Sequence, residues 1–260
     1  MSLKEIFPNP TVKEVAFQIR FPNLFYLEER MGDFQLRVMK EFPESAILYS
    51  KTIAFADVGP QVKTADIESQ IAKGPAGQKV WQFKSPKGYQ LLIQSDSVAI
   101  SSTHHKTYEL EGGDKFRDAI KLVMDNFLKI IPLQTISRIG LRYIDSCPIP
   151  SKDNSTFKSY YKSAFPLDRF NLSDALELDF KACVKKGKYY IRYVESLQQS
   201  PGQKSPDAYV LILDFDGFAN NIDSKDYLAT TDKLHKIIKS EFRRTIKEPL
   251  IEYMRKPKDG

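Results

Sequence analysis

Ile136-Ser-Arg-Ile-Gly-Leu-Arg-Tyr-Ile-Asp145 decides how this chain is read. Alternation puts Ile139, Leu141 and Tyr143 on one side and Arg138, Gly140 and Arg142 on the other, which is the period of a half-buried strand. An amphipathic helical segment precedes it, with Phe116, Ile120, Val123, Phe127 and Ile131 on one stripe and Asp114 as its N-cap. The strand lies near the midpoint of 260 residues. From there the chain begins a second pass through an order of elements that its first half has already run.

The first pass opens at residues 12–21, where Val15, Phe17, Ile19 and Phe21 alternate with Glu14, Gln18 and Arg20. Pro22-Asn23 ends that strand. Leu27, Met31, Phe34, Val38 and Phe42 then recur at helical spacing until Pro43. A strand is expected over 46–58 and a long loop over 59–78. Short strands at 80–84, 89–94 and 98–102, with turns at Pro86-Lys-Gly88 and Ser95-Asp96, predict an antiparallel meander. The second pass continues from 136–145 with a short helix at 156–164. Strands follow at 176–184, 189–197 and 209–215, with a hairpin turn at Lys186-Gly187 and a loose loop at 201–206. A long helix over 224–247 closes it, with Leu228, Thr231, Leu234, Ile238, Phe242 and Ile246 on one stripe and Pro249 as its limit.

Both passes read strand, helix, three or four strands, long helix. The expected class is α+β: residues 1–132 and 133–260 form two similar halves of one globular unit. They share a continuous antiparallel sheet backed by long helices on one face. The saddle of TATA-binding proteins has this element order twice over, an analogy of fold and not of function.

Composition narrows the class of protein. The chain is 42% hydrophobic and 28% charged, ordinary for a soluble globular protein with a sizeable core. No stretch approaches the roughly 20 apolar residues that span a bilayer. The first residues carry no apolar secretion signal. Cys147 and Cys183, far apart, read as reduced thiols of a cytoplasmic protein. A net charge of +6 and a pI near 9.0 suit an anionic partner such as nucleic acid, a nucleotide or an acidic protein.

Catalytic signatures are scarce. There is no Gly-x-Gly-x-x-Gly, His-Glu-x-x-His, Cys-x-x-Cys or Gly-x-Ser-x-Gly. Gly74-Pro-Ala-Gly77-Gln-Lys79 has the wrong spacing for a phosphate loop. No cofactor is expected. His104-His105 would face opposite ways on a continuing strand, and a zinc site would want more ligands nearby. His235, beside Leu234, reads as a boundary residue of a core face.

Three clusters remain as candidates. Arg20, Arg138, Arg142, Lys181, Tyr190 and Arg192 fall opposite the apolar stripes, together with Lys185, Gln18, Gln82, Lys84, Gln90 and Gln94. Such a face can touch phosphates and base edges, although any antiparallel sheet with one wet side looks the same. Glu177, Asp179, Asp214 and Asp216 could hold Mg²⁺ or Mn²⁺ if their strands were neighbours. The plainer reading pairs these charges across strands and makes Asp216-Gly217 a turn. Arg243, Arg244, Lys247, Arg255, Lys256 and Lys258 crowd the C-terminus, where cations suit a helix dipole.

Several segments together resemble an uncharacterised, sporadically distributed family of bacterial proteins of about this length. They are Pro8-Asn-Pro-Thr-Val-Lys-Glu-Val-Ala-Phe-Gln-Ile-Arg20, Ile139-Gly-Leu-Arg-Tyr-Ile144, Leu234-His235 with Phe242, and Ile246-Lys-Glu248. The resemblance implies no activity or catalytic residue. Scattered distribution implies traffic with mobile elements and a setting in antiviral defence.

The leading expectation is a non-catalytic binding or adaptor protein that meets a protein or nucleic acid through its polar sheet face. Membrane attachment is not expected, and self-association is open. A second reading is a metal-dependent hydrolase or nuclease using Glu177, Asp179, Asp214 and Asp216. A third is a small-molecule sensor whose ligand sits between sheet and helix, which a pocket with convergent polar groups would favour.

Overall fold

The alternating segments that open the two passes meet in the middle of the sheet. In the computed structural model, which describes residues 5–50, 78–105, 107–199 and 209–257, β1 (Val12–Arg20) runs antiparallel to β6 (Thr135–Pro148). Phe17 lies opposite Leu141 and Ile19 opposite Ile139. The other strands are β2 (Glu44–Ser50), β3 (Gln78–Lys84), β4 (Tyr89–Gln94), β5 (Ser97–Ser102), β7 (Leu178–Lys186), β8 (Tyr189–Gln199) and β9 (Tyr209–Asp223). They form one open antiparallel sheet in the order β2-β3-β4-β5-β1-β6-β9-β8-β7. The fold class is α+β.

The helices are α1 (Leu27–Val38), α2 (Phe116–Ile130), α3 (Asn154–Tyr160), α4 (Tyr227–Thr245) and α5 (Glu248–Arg255). α1, α2 and α4 cover the apolar face. Phe34 of α1 meets Phe83 of β3 and Phe127 of α2 edge-on, and Phe127 packs on Phe21. Leu234 and Ile238 of α4 lie over Gly217 of β9. One cluster of buried apolar side chains runs from Phe34 through Ile19, Leu141 and Leu213 to Ile251. Each fully buried side chain of this kind stabilises by about 1.5–3 kcal/mol, so a shared core ties the two ends of the sheet together.

Three expectations change. β9 does not stop at 215 but continues through Asp216-Gly217 to Asp223. Gly217 is there for space rather than for a turn: a Cβ on it would stand 3.2 Å from Ile238 Cδ1, so its absence lets α4 settle on the sheet. Pro249 does not end the helical region. It sits in the first turn of α5, where a missing N–H costs nothing. Asp114 does not cap α2; Lys115 holds the N-cap position without a side-chain bond, and Asp114 lies 3.7 Å from Lys87. The strand expected past residue 50, the loops at 59–78 and 201–206 and the glycines at 74 and 77 lie outside the described residues. Cys147 is buried and Cys183 exposed, both as free thiols. Among the described residues no helix is long and apolar enough to cross a membrane.

Candidate functional site

Strand register decides which side chains share a face. Rows across the sheet read Arg20, Arg138, Asn220; then Gln18, Gly140, Phe218, Tyr190, Lys185; then Ala16, Arg142, Asp216, Arg192, Cys183; then Glu14, Ile144, Asp214, Val194, Lys181. Arg20, Arg138, Arg142, Lys181, Tyr190 and Arg192 therefore occupy one face, the one away from the helices.

The arginines at the centre of that face are held by neighbouring carboxylates. Arg142 donates from Nε to Asp214 Oδ1 at 2.8 Å and from Nη2 to Oδ2 at 2.6 Å. Arg138 Nη2 donates to Asp216 Oδ2 at 2.8 Å. The Arg138 guanidinium also lies 4.7 Å over the Phe218 ring, which stacks on Tyr190 at 5.1 Å. Gly140 makes room for that fold of the side chain, because a Cβ there would come within 2.8 Å of Arg138 Nη1. Burial lowers the Arg138 pKa against the pull of Asp216, and the charges of Arg20 and Arg192 add to the lowering. Burial likewise raises the Asp216 carboxyl against its arginines. For Arg142, burial acts downward but the hydrogen bonds and charge of Asp214 prevail, so its pKa is raised. The hollow between Arg138, Gly140 and Arg142 measures about 30 Å³, room for about one water.

The four predicted metal ligands do not converge. Asp214 and Asp216 are committed to arginines. Asp179 lies opposite Ser196, whose hydroxyl it accepts, a further row away from Asp214. Glu177 is exposed ahead of β7. Among the described residues no group of three or more His, Cys, Asp or Glu could hold a metal ion. At the C-terminus Arg243 pairs with Glu248, Arg244 with Glu241, and Arg255 with Glu5 and Glu248, while Lys247 donates to the Lys158 carbonyl. Lys256 is exposed, and Lys258 lies outside the described residues.

The opposite face of β6 holds something else. Between the sheet and α4 lies a pocket of about 140 Å³. The arm before β1 gives it Thr11, the segment after β5 gives His105 and Tyr108, β6 gives Tyr143 and Asp145, and α4 gives His235 and Lys239. Phe7, Ile238, Phe242 and Met254 supply apolar wall. The rings hold one another in place. Tyr108 stacks on His235 at 4.0 Å, and Tyr143 Oη lies 3.3 Å from His235 Nδ1. His105 meets Tyr143 edge-on at 5.4 Å. Tyr108 is in turn anchored by donating to Asp232 at 2.8 Å, and Arg117 grips both oxygens of that carboxylate.

Burial sets the electrostatics of the pocket. Asp145 is 3% exposed and accepts one hydrogen bond, from Thr11 Oγ1 at 2.7 Å. Burial pushes its carboxyl up to about 7, with the Asp214 charge adding and the Thr11 bond opposing. Burial lowers His105 to about 4 and, with Lys239 nearby, His235 to about 3, so both imidazoles are neutral near pH 7. Burial also raises the Tyr143 phenol. Perturbed titratable groups converging in a mostly apolar pocket are the usual mark of a binding site.

A wider groove of about 420 Å³ runs past Glu41, Lys87, Glu111 and Lys115. Its lysines pair with its own acids (Lys87 with Glu41 and Asp114, Lys115 with Glu111). Glu41, Lys87, Glu111, Asp114 and Lys115 thus engage one another, and burial and ring packing converge more closely in the smaller pocket. The 140 Å³ pocket is therefore the candidate site. Sequence reasoning placed His235 at a core boundary and left Asp145 unremarked. The signal was present: alternation from Ile139 puts residue 145 on the apolar side, where an acid is out of pattern.

Comparison with known proteins adds nothing to this site: no family model matches the chain, and no curated protein matches it.

Proposed function

We propose that this is a non-catalytic small-molecule-binding protein, a sensor or adaptor whose ligand sits between α4 and the sheet. The observation that carries the reading is the pocket at Asp145, where side chains from the arm, the segment after β5, β6 and α4 converge. A ligand there would touch the arm before β1 and Met254 of α5 at once, which suits a protein that reports occupancy to a partner. A defence setting, as the family resemblance implies, would give such a sensor a trigger to read.

The test is fragment binding followed by amide NMR shifts. Fragments of benzene size should move the amides of His105, Tyr143, Asp145 and His235, and Leu110→Trp at the pocket wall should abolish the effect. Shifts confined to the wet face around Tyr190 would sink the proposal.

A second reading keeps the polar face as a contact surface for protein or nucleic acid. The Tyr190–Phe218–Arg138 stack favours it, since aromatic rings beside arginines are platforms for bases. The neutralisation of Arg138 and Arg142 by Asp216 and Asp214 favours a protein partner over a phosphate backbone. Absence of any electrophoretic shift with DNA or RNA at low salt would remove the nucleic-acid version.

We also infer that the two halves are structural equivalents in a saddle-like arrangement. Supporting this, β1 and β6 meet at the centre of the sheet. Each is flanked by the strand that precedes its half's long helix, β5 on one side and β9 on the other.

A further inference from the structure

Asp145 differs from the other buried acids of this protein. Asp214 and Asp216 face arginines. Glu195 accepts from the Ser163 hydroxyl and from the Ala164 N–H. Asp145 has a single hydroxyl donor and, among the described residues, no ion-pair partner. A buried carboxylate without a cation is costly, and removal of water strengthens whatever cation reaches it.

We propose that the pocket takes a small organic cation, a primary amine or amidine of roughly six to ten non-hydrogen atoms, with its nitrogen on Asp145 and its hydrocarbon part against Tyr143, Phe242 and Met254. This deepens the small-molecule reading above and rests on it. The volume of about 140 Å³ is close to that of a cavity known to hold benzene, which sets the size. The charge follows from the lining. Asp145 and Glu109 stand against one cation, Lys239, which already has an interaction of its own. Glu5 at the rim is balanced by Arg255. The neutral imidazoles of His105 and His235 offer an anion no positive charge. They and the Tyr143 ring line the pocket as uncharged aromatic groups, a wall compatible with a cation.

The proposal predicts a pH dependence. The titratable groups facing Asp145 are Tyr143 and Cys147 on its own strand and Asp214 behind it on β9. His105 and Glu109 face it from the segment after β5, His235 and Lys239 from α4, and Glu5 from the arm. The two imidazoles titrate well below pH 6, and burial holds the Tyr143 and Cys147 groups well above their ordinary values. Asp145 is left to set the profile between pH 6 and 8.

Calorimetry on the full chain with four probes of one shape tests this: benzamidine, benzylamine, benzyl alcohol and benzoate. At pH 8 the two cations should bind at least tenfold more tightly than the alcohol, and benzoate not at all. Benzamidine affinity should fall toward tenfold per pH unit below the Asp145 titration. Asp145→Asn should cost benzamidine at least tenfold and leave benzyl alcohol unchanged, with a pH-independent profile. Thr11→Val, which keeps the carboxyl and removes its donor, should move the pH midpoint upward. Alcohol or benzoate binding as tightly as the cations would overturn the charge assignment while leaving the pocket as a binding site. If none of the four binds, the cation proposal is wrong. Xenon-pressurised crystals then decide the broader reading, since an empty pocket under xenon would remove it as well.

Discussion

On one face of β6, Arg138 and Arg142 meet Asp216 and Asp214; on the other, Asp145 meets a hydroxyl and shares its pocket with two uncharged imidazoles. On the wet face each central arginine closes an ion pair with the strand beside it, because antiparallel register sets Arg142 next to Asp216 and within reach of Asp214. On the helix side Asp145 has no such partner among the described residues, and burial moves pKa values instead. Charges that cluster in sequence can thus be structural, while a lone acid of the wrong parity can mark the site.

The largest expected effect breaks the wet face. Arg142→Ala leaves Asp214, 9% exposed, without its guanidinium. That should destabilise the fold by about 4 kcal/mol in urea titrations, with most of it recovered when Asp214→Asn is added. Loss of less than about 1 kcal/mol would mean the pair is a surface ornament of the kind that contributes little.

An effect of similar size and opposite sign, confined to alkaline pH, is expected on the pocket side. Asp145 holds its proton up to about pH 7 when folded and only to about 3.9 when unfolded. Its contribution to stability is therefore full below about pH 4 and is lost as pH rises through 7. Asp145→Asn removes that loss, so the variant should exceed the parent by roughly 4 kcal/mol at pH 8.5 and match it at pH 4. His105 and His235 run the other way: their lowered pKa values add stability above pH 6.5 that is lost as pH falls through about 4. The asparagine variant should keep this acid limb unchanged. Equal stability of the two proteins across the range would show that Asp145 is ionised without penalty.

The smallest effect sharpens the boundary between the faces. Gly217→Ala pushes a methyl toward Ile238 on the pocket helix and should cost about 1–2 kcal/mol. Nuclear magnetic resonance should show displaced α4 amides and an undisturbed Arg142–Asp214 pair. Movement on both faces would mean that sheet and helix shift as one body.

Much of the fold was legible because period 2 and period 3.6 are properties of neighbouring residues. Ile139, Leu141 and Tyr143 announced their side, and so did Phe34 and Phe127. What neighbours in sequence cannot carry is what another strand or helix brings. Asp216-Gly217 looked like a turn because its reason, Ile238 of α4, is distant in the chain. Asp214 looked free to bind metal because Arg142 lies on another strand. The pocket was illegible for the same reason: Thr11, His105, Asp145 and His235 share no local pattern, and only the register of β1 and β6 under α4 gathers them.

The place of β1 also fixes the order in which this protein can be made. Val15 pairs with Ser102 on one edge and with Tyr143 on the other. The strand leaves the ribosome ahead of both neighbours, and β6 is the later of the two. At synthesis rates of about 5–20 residues per second, residues 12–20 wait roughly six to twenty-five seconds for β6. Through that interval an alternating segment with Phe17 and Ile19 offers a bare edge to any passing chain. A nascent chain stalled before β6 would keep that edge open, so the joint that unites the finished sheet is one the first half cannot supply for itself.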